Sequence, residues 1–502
     1  MSKLNKDILF LTFEELQDNS KSLFSCLMVN RLWCETVIPI LWRNPWCYNN
    51  IKYNNKSSLF TIIASYLLDD IKEFITNQEI QLPLNSNQPL LFDYFSFCRS
   101  INIIIINNII SIGSNLAYNQ FHIQQIFYFF IIKKCSELKY FDMRSIKHQI
   151  FYFPEAMVRL ESLCELRCDT SIDSSYFYGI SRSCRYIQKL IIDNIDPKPN
   201  DGIVKLIETQ KNLKYFEWKD NFENHYLTKD PYEEIFLALE KKANDLNFLK
   251  VHFQYVEGID CTLFQNILSK FYKLKILIID DYLYFTEEQL KQLKIQTYNE
   301  LEILNIEYNK LNVISSIIEN SGKHLKKIFF NPYDTIDCEF NDNFNGSSLN
   351  FIRKIYENCP LIEYLSIAFS PSKKHFDEFE KLLKICQNLK SILLVILDSN
   401  GGETNEKILE NGEELLKVLT RSASINLKEI RFYDDFKFSL KSLENFFENW
   451  KNRPSLSILT NDLTYMEEDY VELINRYKNN GVIKDFDSNS DEICYHFYST
   501  II

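Results

Sequence analysis

The chain is 502 residues long, 46% apolar and 25% charged, with a formal net charge of -12. This composition suits a globular protein of several domains or one long repeat array and excludes a disordered tail. The acidic balance argues against a protein that works by neutralising phosphates or coating an anionic bilayer, since both need clustered Lys and Arg. Neither nucleic acid nor membrane is therefore an expected partner.

At the N-terminus, Leu9, Phe13 and Leu16 fall at i, i+4 and i+7, the stripe of a helix that opens near Asn5 with Asp7 in its first turn. Asp18, Asn19 and Ser20 interrupt it and cap a second helix, on which Leu23, Cys26 and Leu27 share a face. A third segment carries Trp33, Val37, Ile40 and Leu41 until Pro39 and Pro45 bend or stop it. Three helices this short bury little surface alone, which implies a partner.

In order and spacing this stretch resembles the F-box family. Leu4, Asp7, Ile8, Leu9, Leu16, Leu23, Val29, Arg31, Trp33 and Trp42 fill the family's positions, and Pro39 lies where a proline is common. Asn5 stands where the family has another proline, a departure that bears on docking affinity. The resemblance implies contact with a Skp-type adaptor, and through it a cullin, by Leu4, Ile8, Leu9, Leu16, Leu23, Leu27, Val29, Trp33 and Trp42.

The early apolar run Ile8 to Phe13 closes on Glu14 and Glu15, too short for a secretory signal, so a cytoplasmic or nuclear location is expected. The apolar segment from Ile101 to Ile132 is interrupted by several Asn and Gln and falls short of a membrane span. The 13 cysteines form no CxxC pair, and inside a cell disulfides are not expected.

Residues 47–96 read as a linker and cap region, with one helix starting near Leu59. From there a phrase recurs in which an apolar anchor is followed by apolar residues three and five positions later. It begins at Leu138, Leu163, Leu213, Leu274, Leu301, Leu325, Leu389 and Leu427, with looser copies at Ile101, Ile187, Phe248 and Ile362 and a doubtful one at Leu456. The base spacing is about 26 residues, and helical text fills the intervals. This is the signature of leucine-rich repeats, in which a strand and a helix per unit stack because no unit buries its own face. The expected fold is α/β: an F-box over 1–46, a horseshoe of leucine-rich repeats over 97–465, and a cap or tail over 466–502.

Cys98, Cys135, Cys184, Cys359 and Cys386 each precede an anchor by three residues, as in the cysteine-bearing repeats of F-box proteins. A buried corner is the expected role, because residues of one register lie a whole repeat apart and cannot share a metal. Three long intervals, Asp220 to Asp230, Asn331 to Ser348 and Leu397 to Gly412, follow strands and project from one rim, as binding loops or as tolerated decoration.

The seven histidines are scattered, and no metal, nucleotide or nucleophile motif appears, so neither catalytic residues nor cofactors are expected. The third, fifth and seventh positions of each repeat face outward from the sheet, since strand side chains alternate. Early repeats place Glu165, Arg167, Asp169, Lys189, Asp193, Glu217, Lys219, Lys250 and His252 there. Later ones place Ile276, Ile278, Ile303, Phe329, Tyr364, Leu393 and Val395 there, an apolar strip that either binds a protein substrate or is covered by a rim loop or by the tail from Asp462.

Taken with the resemblance, the expectation is a non-catalytic substrate-recognition subunit of an SCF-type ubiquitin ligase. The alternatives are a repeat scaffold whose F-box no longer docks and a leucine-rich-repeat GTPase activator, which has no F-box.

Overall fold

A computed structural model describes residues 5–488 except 18, 47–55, 67–71, 73–88, 112–116, 224–229, 255–261, 281–284, 296, 308, 331–343, 397–403, 434–435 and 461. The chain divides into two compact units, Met1–Lys242 and Ala243–Ile502.

Unit 1 opens with helices α1 (Lys6–Glu14), α2 (Ser20–Leu27) and α3 (Arg31–Leu41). Each begins on an asparagine whose side-chain oxygen accepts an amide of the first turn: Asn5 from Asp7, Asn19 from Ser22 and Asn30 from Trp33. Capping of this kind satisfies amides that lack a helical partner. Asn5 thus starts α1 by a cap. Leu9, Phe13, Leu23, Val37, Ile40 and Leu41 form the module's core.

Aromatic anchors fix the module to the next segment of unit 1. The Trp42 ring lies 4.5 Å from Tyr94 and 5.9 Å from Phe95, and the Trp46 indole donates to the Ser100 carbonyl at 2.9 Å. Helix α4 (Lys56–Ser65) buries Leu59, Phe60, Ile63 and Ala64, so the described part of the region read as a linker is packed structure.

The strands of unit 1 are β1 (Ser100–Asn102), β2 (Tyr140–Asp142), β3 (Glu165–Asp169), β4 (Lys189–Asn194) and β5 (Tyr215–Asp220). They pair in parallel in sequence order, and helices fill the intervals. Close helix packing needs glycine at one point: a Cβ on Gly202 would sit 2.5 Å from the Ser174 carbonyl oxygen.

Unit 2 continues the pattern with β6 (Phe248–His252), β7 (Ile276–Asp280), β8 (Ile303–Glu307), β9 (Lys327–Phe329) and β10 (Tyr364–Phe369). Its remaining strands are β11 (Ser391–Ile396), β12 (Glu429–Tyr433), β13 (Leu456–Thr460) and β14 (Ile483–Asp487). All nine are parallel and in order. Strand β14, with the helix Glu468–Asn479 before it, adds a strand and helix within the region expected to be a cap or tail.

Every recurring phrase lies on a strand except that at Ile101, whose fourth and sixth residues, Ile104 and Ile106, fall in the helix Ile103–Ile110. The looser copies at Ile187 and Ile362 keep the expected register, whereas those at Ile101, Phe248 and Leu456 need new ones. Ser100 pairs with Tyr140, so Cys98 rather than Ile101 holds the first repeat's anchor place. Phe248 pairs with Ile276, a third-position residue, which makes buried Leu246 the anchor there. Ser457 pairs with Glu429, so Leu456 stands one residue out of step with the expected phrase. A one-residue slip exchanges the faces of a strand, and Leu456 and Ile458 are accordingly the buried pair.

The cysteine register serves backbone satisfaction. The Cys135 thiol donates to the Cys98 carbonyl at 2.9 Å, Cys184 to Leu160 at 2.9 Å and Cys386 to Cys359 at 3.7 Å, each reaching the preceding repeat. Gln210, three residues before an anchor, does the same toward Cys184 at 3.0 Å. Burial pushes the Cys98, Cys184, Cys359 and Cys386 thiols up to about 12, which keeps them protonated and unreactive. No helix among the described residues is long and apolar enough to cross a membrane.

Candidate interaction surfaces

The terminal module separates its expected contact residues into core and surface. Leu9 (3% exposed) and Leu23 (0%) complete the three-helix core, and Trp42 is the anchor on Tyr94 and Phe95. The apolar surface of Leu9 and Leu23 is already covered within the chain, whereas Trp42, mostly buried, also lines an apolar cleft beside Leu27. Trp33 is half-buried with its ring edge-on to Phe13 at 5.2 Å, and Leu16 is half-buried at the end of α1. Leu27 lines an apolar cleft of about 180 Å³ with Phe24, Ile38, Leu41 and Ile62.

Ile8 (52%) and Val29 (53%) are exposed, and with them Leu11 (66%) and Met28 (88%), which the sequence pattern passed over. Leu11 could have been found by its place opposite the Leu9 and Phe13 stripe, and Met28 by the turn it occupies after α2. Leu4 lies outside the described residues.

The outward sheet face of unit 1 is a charged lattice. Its first row runs Tyr140, Glu165, Lys189, Tyr215 and its second Asp142, Arg167, Ile191, Glu217. Arg144, just past β2, donates to Asp142 at 2.7 Å and reaches Asp193 at 2.8 Å. Asp193 also accepts from Arg167 at 3.1 Å. Lys189 pairs with Glu165 at 3.2 Å and lies 4.8 Å over the Tyr215 ring, whose hydroxyl donates to Glu217 at 2.7 Å. Burial, then the bond to Glu217, pushes the Tyr215 phenol upward, so it stays a donor. Tyr140, Asp142 and Arg144 were legible in the phrase at Leu138 but were not drawn into the expected face.

Unit 2 overturns the expected apolar strip. Phe329, Leu393 and Val395 are 0% exposed and Ile278 is 3% exposed, whereas Ile276, Ile303 and Tyr364 are half-buried. Register explains part of this. Ile276, Ile303 and Tyr364 belong to one row with Lys327, while Ile278 and Phe329 belong to the next with Asn305. In that second row Asn305, Ser366 and Arg431 are buried as well, so it is packed inside the chain rather than offered to water. The Asn305 Oδ1 and Ser366 Oγ atoms are buried without a hydrogen-bond partner among the described residues. The three long loops fall largely outside the described residues.

No group of acidic, cysteine and histidine side chains suited to a metal occurs among the described residues. Two histidines are structural. His375 holds Ser348 at 2.7 Å and Ser372 at 2.8 Å, and His148 meets Gln124 at 3.1 Å under the Phe121 ring. Desolvation lowers both to about 4.

No family model matches the chain, and no curated protein matches it. Among solved structures, the crystal structure of a complex of Rad7 and Elc1 in yeast is similar at 13% identity and a TM-score of 0.36, over 78% of this chain and 95% of that one.

Proposed function

We propose that the chain is a substrate-recognition subunit of an SCF-type ubiquitin ligase, with the terminal module docking a Skp-type adaptor and the repeats holding a protein substrate. The observation that carries this reading is a three-helix module whose own core is complete yet which leaves Ile8, Leu11, Met28 and Val29 in water. Large exposed apolar side chains gathered in one small module are a mark of a protein contact. The F-box resemblance gives the kind of partner, and the parallel strand and helix repeats give a broad surface for a second one. The chain's own contribution to transfer is then positioning.

The test is co-purification of the full chain from cells, probed for a Skp-type adaptor and a cullin. Ile8→Asp combined with Val29→Asp alters only exposed positions and should cut adaptor capture by an order of magnitude or more without changing the melting temperature. Recovery of neither protein with the wild-type chain, or unchanged capture by the double variant, overturns the reading.

A further inference from the structure

The helices that back the early strands of unit 1 end on a basic rim. Lys133 stands in the last turn of the helix Ala117–Lys134, Arg159 in that of Ala156–Leu160 and Arg182 in that of Ser174–Ser183. Arg185 and Lys211 lie past the helix ends, each two residues before a buried anchor, Ile187 and Leu213. The Lys211 amide donates to the Arg185 carbonyl at 2.9 Å, which sets these two on adjacent turns.

Among the described residues none of these five cations forms an ion pair. Arg159 donates to the Ser136 carbonyl at 2.6 Å, Lys133 lies 5.9 Å from the Phe129 ring centre and Lys211 lies 5.6 Å from that of Tyr186. Glu155 and Glu161 are exposed on the same stretch and also form no ion pair, so the unpaired cations outnumber the unpaired acids. The other carboxylates nearby are engaged: Glu137 with Lys139 and Arg99, Glu208 with Lys241, and Asp93 with Lys134. Helix dipoles favour a cation in a last turn, which accounts for Lys133, Arg159 and Arg182 but not for Arg185 or Lys211.

One turn back from the rim the same surface is apolar. Phe129 precedes Lys133 by four residues and Tyr178 precedes Arg182 by four, so each pair shares a helix face. Met157 and Val158 ride on the short helix between them. Contacts fix that order, since the Phe129 ring lies 5.8 Å from Phe153 and the Ser183 hydroxyl donates to the Met157 sulfur at 2.8 Å. Phe129 is 36% exposed, Met157 44%, Val158 63% and Tyr178 38%. Apolar side chains gathered in water mark a contact surface.

We propose that these two rows bind an acidic amphipathic helix of a protein partner, its apolar stripe on Phe129, Met157, Val158 and Tyr178 and its carboxylates on the rim cations. Packed helices lie ~8–10 Å apart, so three of them span roughly 16–20 Å, the length of about 12 helical residues. An extended segment turns alternate side chains away and offers a surface one row, whereas a helix offers neighbouring apolar and acidic stripes about 5–6 Å apart. Arg159, Arg182 and Arg185 suit carboxylates, which a guanidinium meets through two parallel bonds. A phosphate backbone or an anionic bilayer fits worse, because it presents negative charge continuously, to Glu155 and Glu161 as well as to the cations. A helix places its carboxylates at chosen positions. As a substrate class this deepens the ligase reading and rests on it for that meaning alone.

The test uses the full chain and a fluorescent helical peptide of about 12 residues, with Leu along one stripe and Glu beside it. Comparison ligands are the same peptide with Gln for Glu, the same peptide with Ser for Leu, phosphatidylserine vesicles and single-stranded oligouridine. The Leu and Glu peptide should bind and weaken as salt is raised. Arg182→Glu combined with Arg185→Glu should lower its affinity at least tenfold, and Val158→Ser should lower it severalfold. Lys417→Glu, on a unit 2 helix, should leave it unchanged. If the double charge reversal does not fold, Arg182→Gln with Arg185→Gln should give a loss in the same direction.

Equal binding of the Gln or Ser peptide, tighter binding of the vesicles or the oligouridine, or unchanged affinity in the folded variants overturns the proposal. Adaptor capture is read separately. A chain that binds the peptide at this rim but captures no adaptor keeps this surface and refutes the ligase reading, whereas one that captures the adaptor but not the peptide refutes this surface alone.

Discussion

The same repeat position yields opposite surfaces in the two units. In unit 1 the fifth-position row carries Asp142, Arg167 and Glu217 in contact with water, with Ile191 buried between the last two. In unit 2 it buries Ile278, Asn305, Phe329, Ser366, Leu393 and Arg431, with Lys250 and Leu459 half-buried at its two ends. Strand alternation points both rows outward from their sheets. Backbone geometry therefore decides which way a side chain points, and side-chain chemistry decides whether that direction ends in solvent. Wet apolar surface forgoes about 25 cal/mol for each Å² left uncovered, so an apolar row tends to become core, whereas a charged row stays wet unless every charge is paired.

The sharpest way to break this contrast is Phe329→Ala. Truncating a fully buried Phe destabilises by about 3 to 5 kcal/mol, and chemical denaturation of the full chain should show that loss in the transition that reports unit 2. Tyr364→Ala, at a half-buried position of the neighbouring row, should be distinctly milder. A loss at Phe329 no larger than at Tyr364 would return that row to the surface.

These residues also mark what sequence alone could show. The period near 26 residues and the anchors located nearly every strand, because anchor burial is a local, repeated demand that each unit must meet. Phe248 and Ile101 misled because several apolar residues stood within reach of the anchor place, and only pairing with the next strand chooses among them. At the terminus, the stripe of Leu9 and Phe13 was readable as a helix face but not as core or docking surface, since both demand the same residues. Asn305 and Ser366 gave no warning of a closed row, because small polar residues fit an exposed face equally well.

Acid should not discriminate between the units, which sharpens the contrast by separating core chemistry from face chemistry. His148 in unit 1 and His375 in unit 2 are each buried and neutral, with folded values lowered to about 4 from an unfolded value near 6.5. Between those values the unfolded chain binds more protons than the folded one, so stability falls as pH drops from 6.5 toward 4 and is unaffected by these groups above 6.5. Each contributes a loss on the order of 3 kcal/mol. Denaturation midpoints measured from pH 7 to 4 check this, and replacing either histidine by Gln should flatten the slope in its own unit. An unchanged slope would mean that the rings are accessible to water.

The smallest effect should come from the charged face itself. Arg167 on β3 and Arg431 on β12 hold the same repeat position, yet their side chains are 38% and 7% exposed. Arg167 meets Asp193 through one nitrogen, and Asp193 keeps Arg144 as a second partner. Removing Arg167 thus strands no carboxylate, and with the guanidinium itself partly in water the pair contributes about 0 to 1 kcal/mol. Arg431, buried in the closed row, reaches Glu429 of the neighbouring row through Nε at 2.8 Å, and Ser391 also donates to Glu429 at 2.8 Å. Arg167→Met should therefore leave the denaturation midpoint nearly in place and lower its salt sensitivity, whereas Arg431→Met should shift the midpoint by more. Equal shifts would mean that the two faces are alike in their exposure to water, and the division drawn between a wet charged face and a closed apolar one would fail.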